Sequence, residues 1–100
     1  MNKHIILLFI ILCIGLTRAS AQHSITGKVL DATNQEPIPF ASVTIKNVKS
    51  GTTTDNNGNF TLKVNNNDIL IVSFMGYETK EVNIGTQKKV TILLSESSVL

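Results

Sequence analysis

The feature that most constrains this chain is a succession of short β-forming runs, each ended by residues that cannot extend a ladder. Ile25, Gly27 and Val29 alternate with Thr26, Lys28 and Leu30, the period-two pattern of a half-buried strand. Gln35-Glu36-Pro37-Ile38-Pro39 stops that run, because proline has no N–H to donate. Phe40 to Lys46 resumes the alternation, with Ala41, Val43 and Ile45 predicted on one face. Gly51 to Thr54 is short and largely β-branched, and Asp55-Asn56-Asn57-Gly58 follows as a tight turn. Phe60, Leu62 and Val64 alternate again until Asn65-Asn66-Asn67-Asp68. Ile69 to Phe74 is apolar at nearly every position, which predicts a strand buried on both faces. Gly76-Tyr77 marks a kink, a sixth run spans Glu78 to Ile84, and Lys89 to Leu94 is the last, with Val90, Ile92 and Leu94 in register. Seven short strands and no helix-period segment predict an all-β sandwich.

The first residues follow other rules. Met1 to His4 is short and basic, Ile5 to Leu16 is a nearly continuous apolar run, and Ala19-Ser20-Ala21 is a small-residue triplet of the kind signal peptidase accepts. The apolar run is shorter than the roughly 20 residues a membrane span needs. Residues 1–21 are therefore expected to be a signal peptide cleaved after Ala21, leaving residues 22–100 as one exported domain. Cys13, the single cysteine, falls inside the apolar run and would leave with it. Leu12 before it does not suit a lipidation signal. The exported part would then hold together without disulfides.

Cleavage also changes the charge. The nine basic residues lose Lys3 and Arg18, and the remaining seven lysines meet seven acids. A neutral balance gives no basic patch that would argue for nucleic acid or an anionic membrane.

The most specific local signal is Asp55-Asn56-Asn57-Gly58-Asn59. An aspartate ahead of a tight turn can accept backbone N–H bonds, and Gly58 can take a positive φ. Asp55, Asn57 and Asn59 also recur as cation ligands do. An EF-hand loop, however, places glycine sixth and glutamate twelfth, where this chain has Phe60 and Asn66. The loop is thus read as a structural turn. Asn59-Phe60-Thr61 fits a glycosylation pattern but falls where a strand should begin. His23 beside the cleavage point is read as a solvated residue in a mobile terminus, and the seven acids as solvated turns and edges. Tyr77 is read as a packing residue that ties its hydroxyl to a neighbouring backbone group. With no cysteine nucleophile and no base placed to activate a serine, the expectation is no catalytic, cofactor-binding or metal-binding residue, no small-molecule substrate and no enzyme.

Four blocks in order carry a resemblance: Ile25-Thr26-Gly27-Lys28-Val29; Glu36-Pro37-Ile38-Pro39-Phe40-Ala41-Ser42-Val43-Thr44-Ile45; Gly51 with Thr54-Asp55 and Gly58-Asn59-Phe60; and Ser73-Phe74-Met75-Gly76-Tyr77-Glu78. They resemble the carboxypeptidase-regulatory-like domain, over about Ser24 to Leu94. Phe40 stands where many members carry glycine. The resemblance implies a seven-stranded transthyretin-like β-sandwich. It also implies an N-terminal accessory domain of a TonB-dependent outer-membrane receptor, on the periplasmic side and in contact with TonB or the receptor's plug and barrel. Plug and barrel would lie downstream of Leu100, and the outer membrane would be reached only through them. A free-standing exported adhesion module and the regulatory appendage of a metallopeptidase are the alternatives.

Overall fold

Alternating burial along the strands sets the architecture. The computed structural model describes residues 22–98, so the expected signal peptide, with His4 and Cys13, lies outside the described residues. Seven strands and no helix appear among them: β1 (Gln22–Asp31), β2 (Ser42–Ile45), β3 (Gly51–Thr53), β4 (Asn59–Asn65), β5 (Ile69–Ser73), β6 (Lys80–Asn83) and β7 (Lys89–Leu94). They form two sheets, one ordered β4-β1-β7 and the other β3-β2-β5-β6. This is the expected all-β sandwich.

Every neighbouring pair is antiparallel except β1 and β7, which run parallel with Thr26 opposite Lys89 and Asp31 opposite Leu94. The period of two sends Ile25 and Val29 of β1, Phe60, Leu62 and Val64 of β4, and Ile92 and Leu94 of β7 inward. Val43 and Ile45 of β2 and Leu70 and Val72 of β5 meet them from the other sheet, and Ile38, Ala41 and Ile84 close the ends. Each such side chain contributes about 1.5–3 kcal/mol on full burial. Gly27 also faces inward, and the Phe60 ring occupies the space a side chain there would need.

Two expectations require correction. β5 is buried on one face only: Leu70 and Val72 are buried, whereas Ile69, Ile71 and Ser73 are half-buried. With two layers, the outer face of a central strand has no second sheet above it. β2 begins at Ser42, not Phe40. Phe40 has φ 61°, outside the range a strand uses.

Candidate functional site

At one end of the sandwich the β2–β5 ladder finishes at Ser42 opposite Ser73, and both chains turn sharply. Pro39 fixes its own φ near −65° and Phe40 takes φ 61°, the pairing of signs found in a type II turn. The third position of such a turn favours glycine, which has no Cβ to clash at positive φ, and here it holds Phe40 instead. The turn is held from across the sheet. Thr54 is 2% exposed, and its hydroxyl donates to the Ile38 carbonyl at 2.7 Å and accepts the Ala41 N–H at 2.8 Å. The Phe40 N–H reaches the Thr54 carbonyl and the Thr54 N–H the Ala41 carbonyl, each at 3.0 Å. Thr54 is therefore the element that holds Phe40 in a conformation that costs an ordinary residue about 1–2 kcal/mol. The Phe40 ring is left 67% exposed.

The second turn, Phe74 to Tyr77, is closed by the Tyr77 N–H on the Phe74 carbonyl at 3.0 Å, with Gly76 at φ 89°. Met75 at its tip is 91% exposed. Two large apolar side chains thus project from the same end of the second sheet. Behind them the Tyr77 hydroxyl donates to Asp31 Oδ2 at 2.6 Å, while the Thr33 N–H donates to Asp31 Oδ1 at 2.7 Å. Those two bonds hold the Asp31 carboxyl below its ordinary range, the tyrosine bond contributing most. The same bond, with burial, pushes the phenol up to about 12. Tyr77 packs against Phe74 with ring centroids 6.0 Å apart, as its packing role requires, but its hydroxyl goes to a carboxylate instead of a backbone group. Asp31 was expected to be solvated and is instead 5% exposed. It lies on the inward face at the end of β1, where the tyrosine hydroxyl replaces water. Asp31 and Thr54 are the two polar residues that sequence reasoning missed; the only signal for Asp31 was its place in an otherwise apolar face, and Thr54, after Gly51-Thr52-Thr53, had none.

The Asp55 loop folds as the turn its sequence describes. Asp55 Oδ1 accepts the N–H groups of Asn57 and Asn59, both at 2.9 Å, and Gly58 takes φ 76°. The two asparagines supply backbone N–H groups to that oxygen. Asn59 opens β4 and pairs with Lys28. His23 is not in a loose terminus: it is half-buried within β1, opposite Val64, and its Nε2 lies 2.9 Å from the Gln87 carbonyl oxygen. β1 starts earlier than its apolar pattern, because main-chain pairing with β4 extends to Gln22 opposite Asn65. Among the described residues no three His, Cys, Asp or Glu side chains are grouped as metal ligands would be.

Charge is distributed unevenly over residues 22–98, although their seven lysines and seven acids balance. The outward side chains of β1, β4 and β7 include Lys28, Lys63 and Lys89 and no acid. On the other sheet Lys46 and Glu81 pair at 3.0 Å across exposed side chains. A neutral sum thus conceals a sorting that only strand register reveals, although three lysines without an arginine still do not argue for nucleic acid or an anionic membrane.

A family model, the CarboxypepD_reg-like domain, matches residues 25–100. The chain is 34% identical over its whole length to the TonB-dependent receptor SusC of Bacteroides thetaiotaomicron, of which it covers 10%. It is 36% identical over 63% of its length to the TonB-dependent receptor P26 of Formosa agariphila, covering 6% of that protein. The chain thus spans about a tenth or less of the curated relatives it matches. Two solved structures share the fold. One is a membrane-associated protein of unknown function from Bacteroides fragilis, with TM-score 0.58 and 23% identity over 82% of this chain and 30% of that one. The other is a cohesin–X-dockerin complex from Acetivibrio cellulolyticus, with TM-score 0.57 and 21% identity over 71% of this chain and 56% of that one. The chain belongs to the CarboxypepD_reg-like domain family, as its four sequence blocks and two-sheet sandwich imply.

Proposed function

We propose that this chain is the N-terminal accessory domain of a TonB-dependent outer-membrane receptor, and that it acts by protein contact and not by catalysis. The observation that carries the reading is its alignment along its full length with a tenth of a TonB-dependent receptor. In this reading residues 1–21 direct export and are removed, and residues 22–100 face the periplasm. The domain then presents a rigid surface to the receptor's own plug or to TonB. Exposed Phe40 and Met75, at one end of the sandwich and anchored by Thr54 and Tyr77, support a contact role. Aromatic and methionine side chains are enriched where proteins meet.

The test is an immunoblot of outer-membrane fractions with antibody raised against residues 22–98. A band about ten times the length of this chain, matching its share of the receptor relative, is the expected result. A band of the chain's own size in the soluble periplasm would instead make it a free-standing exported module.

A further inference from the structure

The outer face of the β4-β1-β7 sheet is a polar lattice of one sign. Strict alternation turns Ser24, Thr26 and Lys28 of β1 outward, with Asn59, Thr61 and Lys63 of β4 beside them. Lys89 and Thr91 of β7 complete it. The register keeps the lysines apart: Lys63 faces Ser24, Lys89 faces Thr26, and Lys28 lies between Asn59 and Thr91. Each cation therefore stands among hydroxyls and amides, and none of the three has an ionic partner among the described residues. A shallow depression crosses the strands between the Thr26 and Lys28 rows, above Gly27 and the Phe60 and Val90 backbones.

The geometry points to this face as a docking surface for an acidic polypeptide segment, its Asp or Glu carboxylates set against Lys28, Lys63 and Lys89. The inference rests on the reading that the domain works by protein contact. Charge complementarity selects the occupant, since an acid-free face of unpaired lysines, on a domain whose seven lysines and seven acids balance over residues 22–98, favours an anionic partner. Spacing selects its form. Lys28 and Lys89 are one strand and one side-chain row apart, about 8 Å from strand and row spacings of about 4.8 and 6.7 Å. Alternate side chains of an extended peptide are about 6.7 Å apart, within reach of flexible lysine stems, and the Thr and Asn groups offer hydrogen bonds between them. Other anions fit less well. The face has no arginine and no outward aromatic ring on which bases could stack. Leu30 and Leu93, paired at its far corner, are its only large apolar side chains, too few to insert into a bilayer.

The test is nuclear magnetic resonance titration of the exported chain with a short peptide of alternating glutamate and threonine. In parallel arms the probes are single-stranded DNA and vesicles containing phosphatidylglycerol. Saturable shifts at Thr26, Lys28, Thr61, Lys89 and Thr91 with the peptide, weakening as salt rises, are the expected result. The combined Lys28→Gln, Lys63→Gln and Lys89→Gln variant should bind the peptide roughly tenfold more weakly. Lys46→Gln, on the other sheet, should stay within about twofold. Shifts spread evenly over both sheets, unchanged binding by the triple variant, or tighter binding of DNA or vesicles through the same residues would overturn the proposal. A failed titration alongside a receptor-sized band in the outer membrane would remove this docking face and leave the receptor reading standing.

Discussion

Tyr77 and Asp31, 46 positions apart, are joined by a 2.6 Å hydrogen bond that fastens the turn after β5 to the end of β1. The phenol's folded value of about 12 exceeds its ordinary 10.0. Its stabilising contribution is thus complete below pH 10 and is lost as pH rises toward 12. The Asp31 carboxyl is shifted the other way from 3.8, so its contribution is present above that pH and is lost below it. Tyr77→Phe should lower the denaturant midpoint at neutral pH, with the gap to the parent chain closing in alkali. Tyr77 is the chain's one tyrosine, so ultraviolet titration reads its ionisation directly. A midpoint near pH 10 in the folded protein would contradict the bond.

Thr54→Val keeps the shape of the side chain but leaves the Ile38 carbonyl and the Ala41 N–H without their shared hydroxyl. Stranding buried groups costs about 1–3 kcal/mol. Chemical denaturation should show a loss of about 2 kcal/mol, and faster amide exchange at Ala41 would locate the loss at the turn.

Phe40→Gly should go the other way. It relieves a left-handed backbone that costs about 1–2 kcal/mol, offset by about 0.5–1 kcal/mol of extra chain entropy in the unfolded state. The ring is mostly exposed, so little burial is lost. Thermal unfolding should show a stability equal to the parent's or up to about 1.5 kcal/mol higher.

Gly58→Val meets two obstacles. The position has φ 76°, and a Cβ there would lie 2.7 Å from the Val29 carbonyl oxygen. Left-handed strain alone costs about 1–3 kcal/mol, so a loss above about 2 kcal/mol is expected from urea unfolding. Asn57→Ala should stay within about 0.5 kcal/mol, because it is the backbone N–H of Asn57 that bonds Asp55.

Val72→Asp places a carboxylate at a fully buried site opposite Val43, with an expected loss above about 3 kcal/mol. Lys89→Ser, at the exposed start of β7, should cost no more than about 0.5 kcal/mol. Similar denaturant midpoints for these two variants would contradict the strand assignment.

Much of the fold was legible because its signals are local. Ile25, Val29, Phe60, Leu62 and Val64 alternate with polar residues, and Pro37, Pro39 and Asn65 to Asp68 punctuate them. What escaped depends on partners distant in sequence. Asp31 reads as a turn residue until Tyr77 comes to it, and Thr54 as one more β-branched residue until the Pro39–Phe40 turn folds over it. Phe40 looked like the start of a strand because phenylalanine favours strands, and its positive φ is imposed from outside. The lysine face was invisible to composition, since it exists only after three strands align.

The parallel pairing of β1 with β7 has a mechanical consequence. The two strands run in the same direction, so Gln22 and Leu94 lie toward opposite ends of the pair. Tension applied between those residues would slide one strand along the other. The six register pairs from Thr26–Lys89 to Asp31–Leu94 would carry that load together instead of peeling apart one at a time. Pulled by its ends, the sandwich is loaded in shear across its first and last strands, the direction in which a β-ladder yields last.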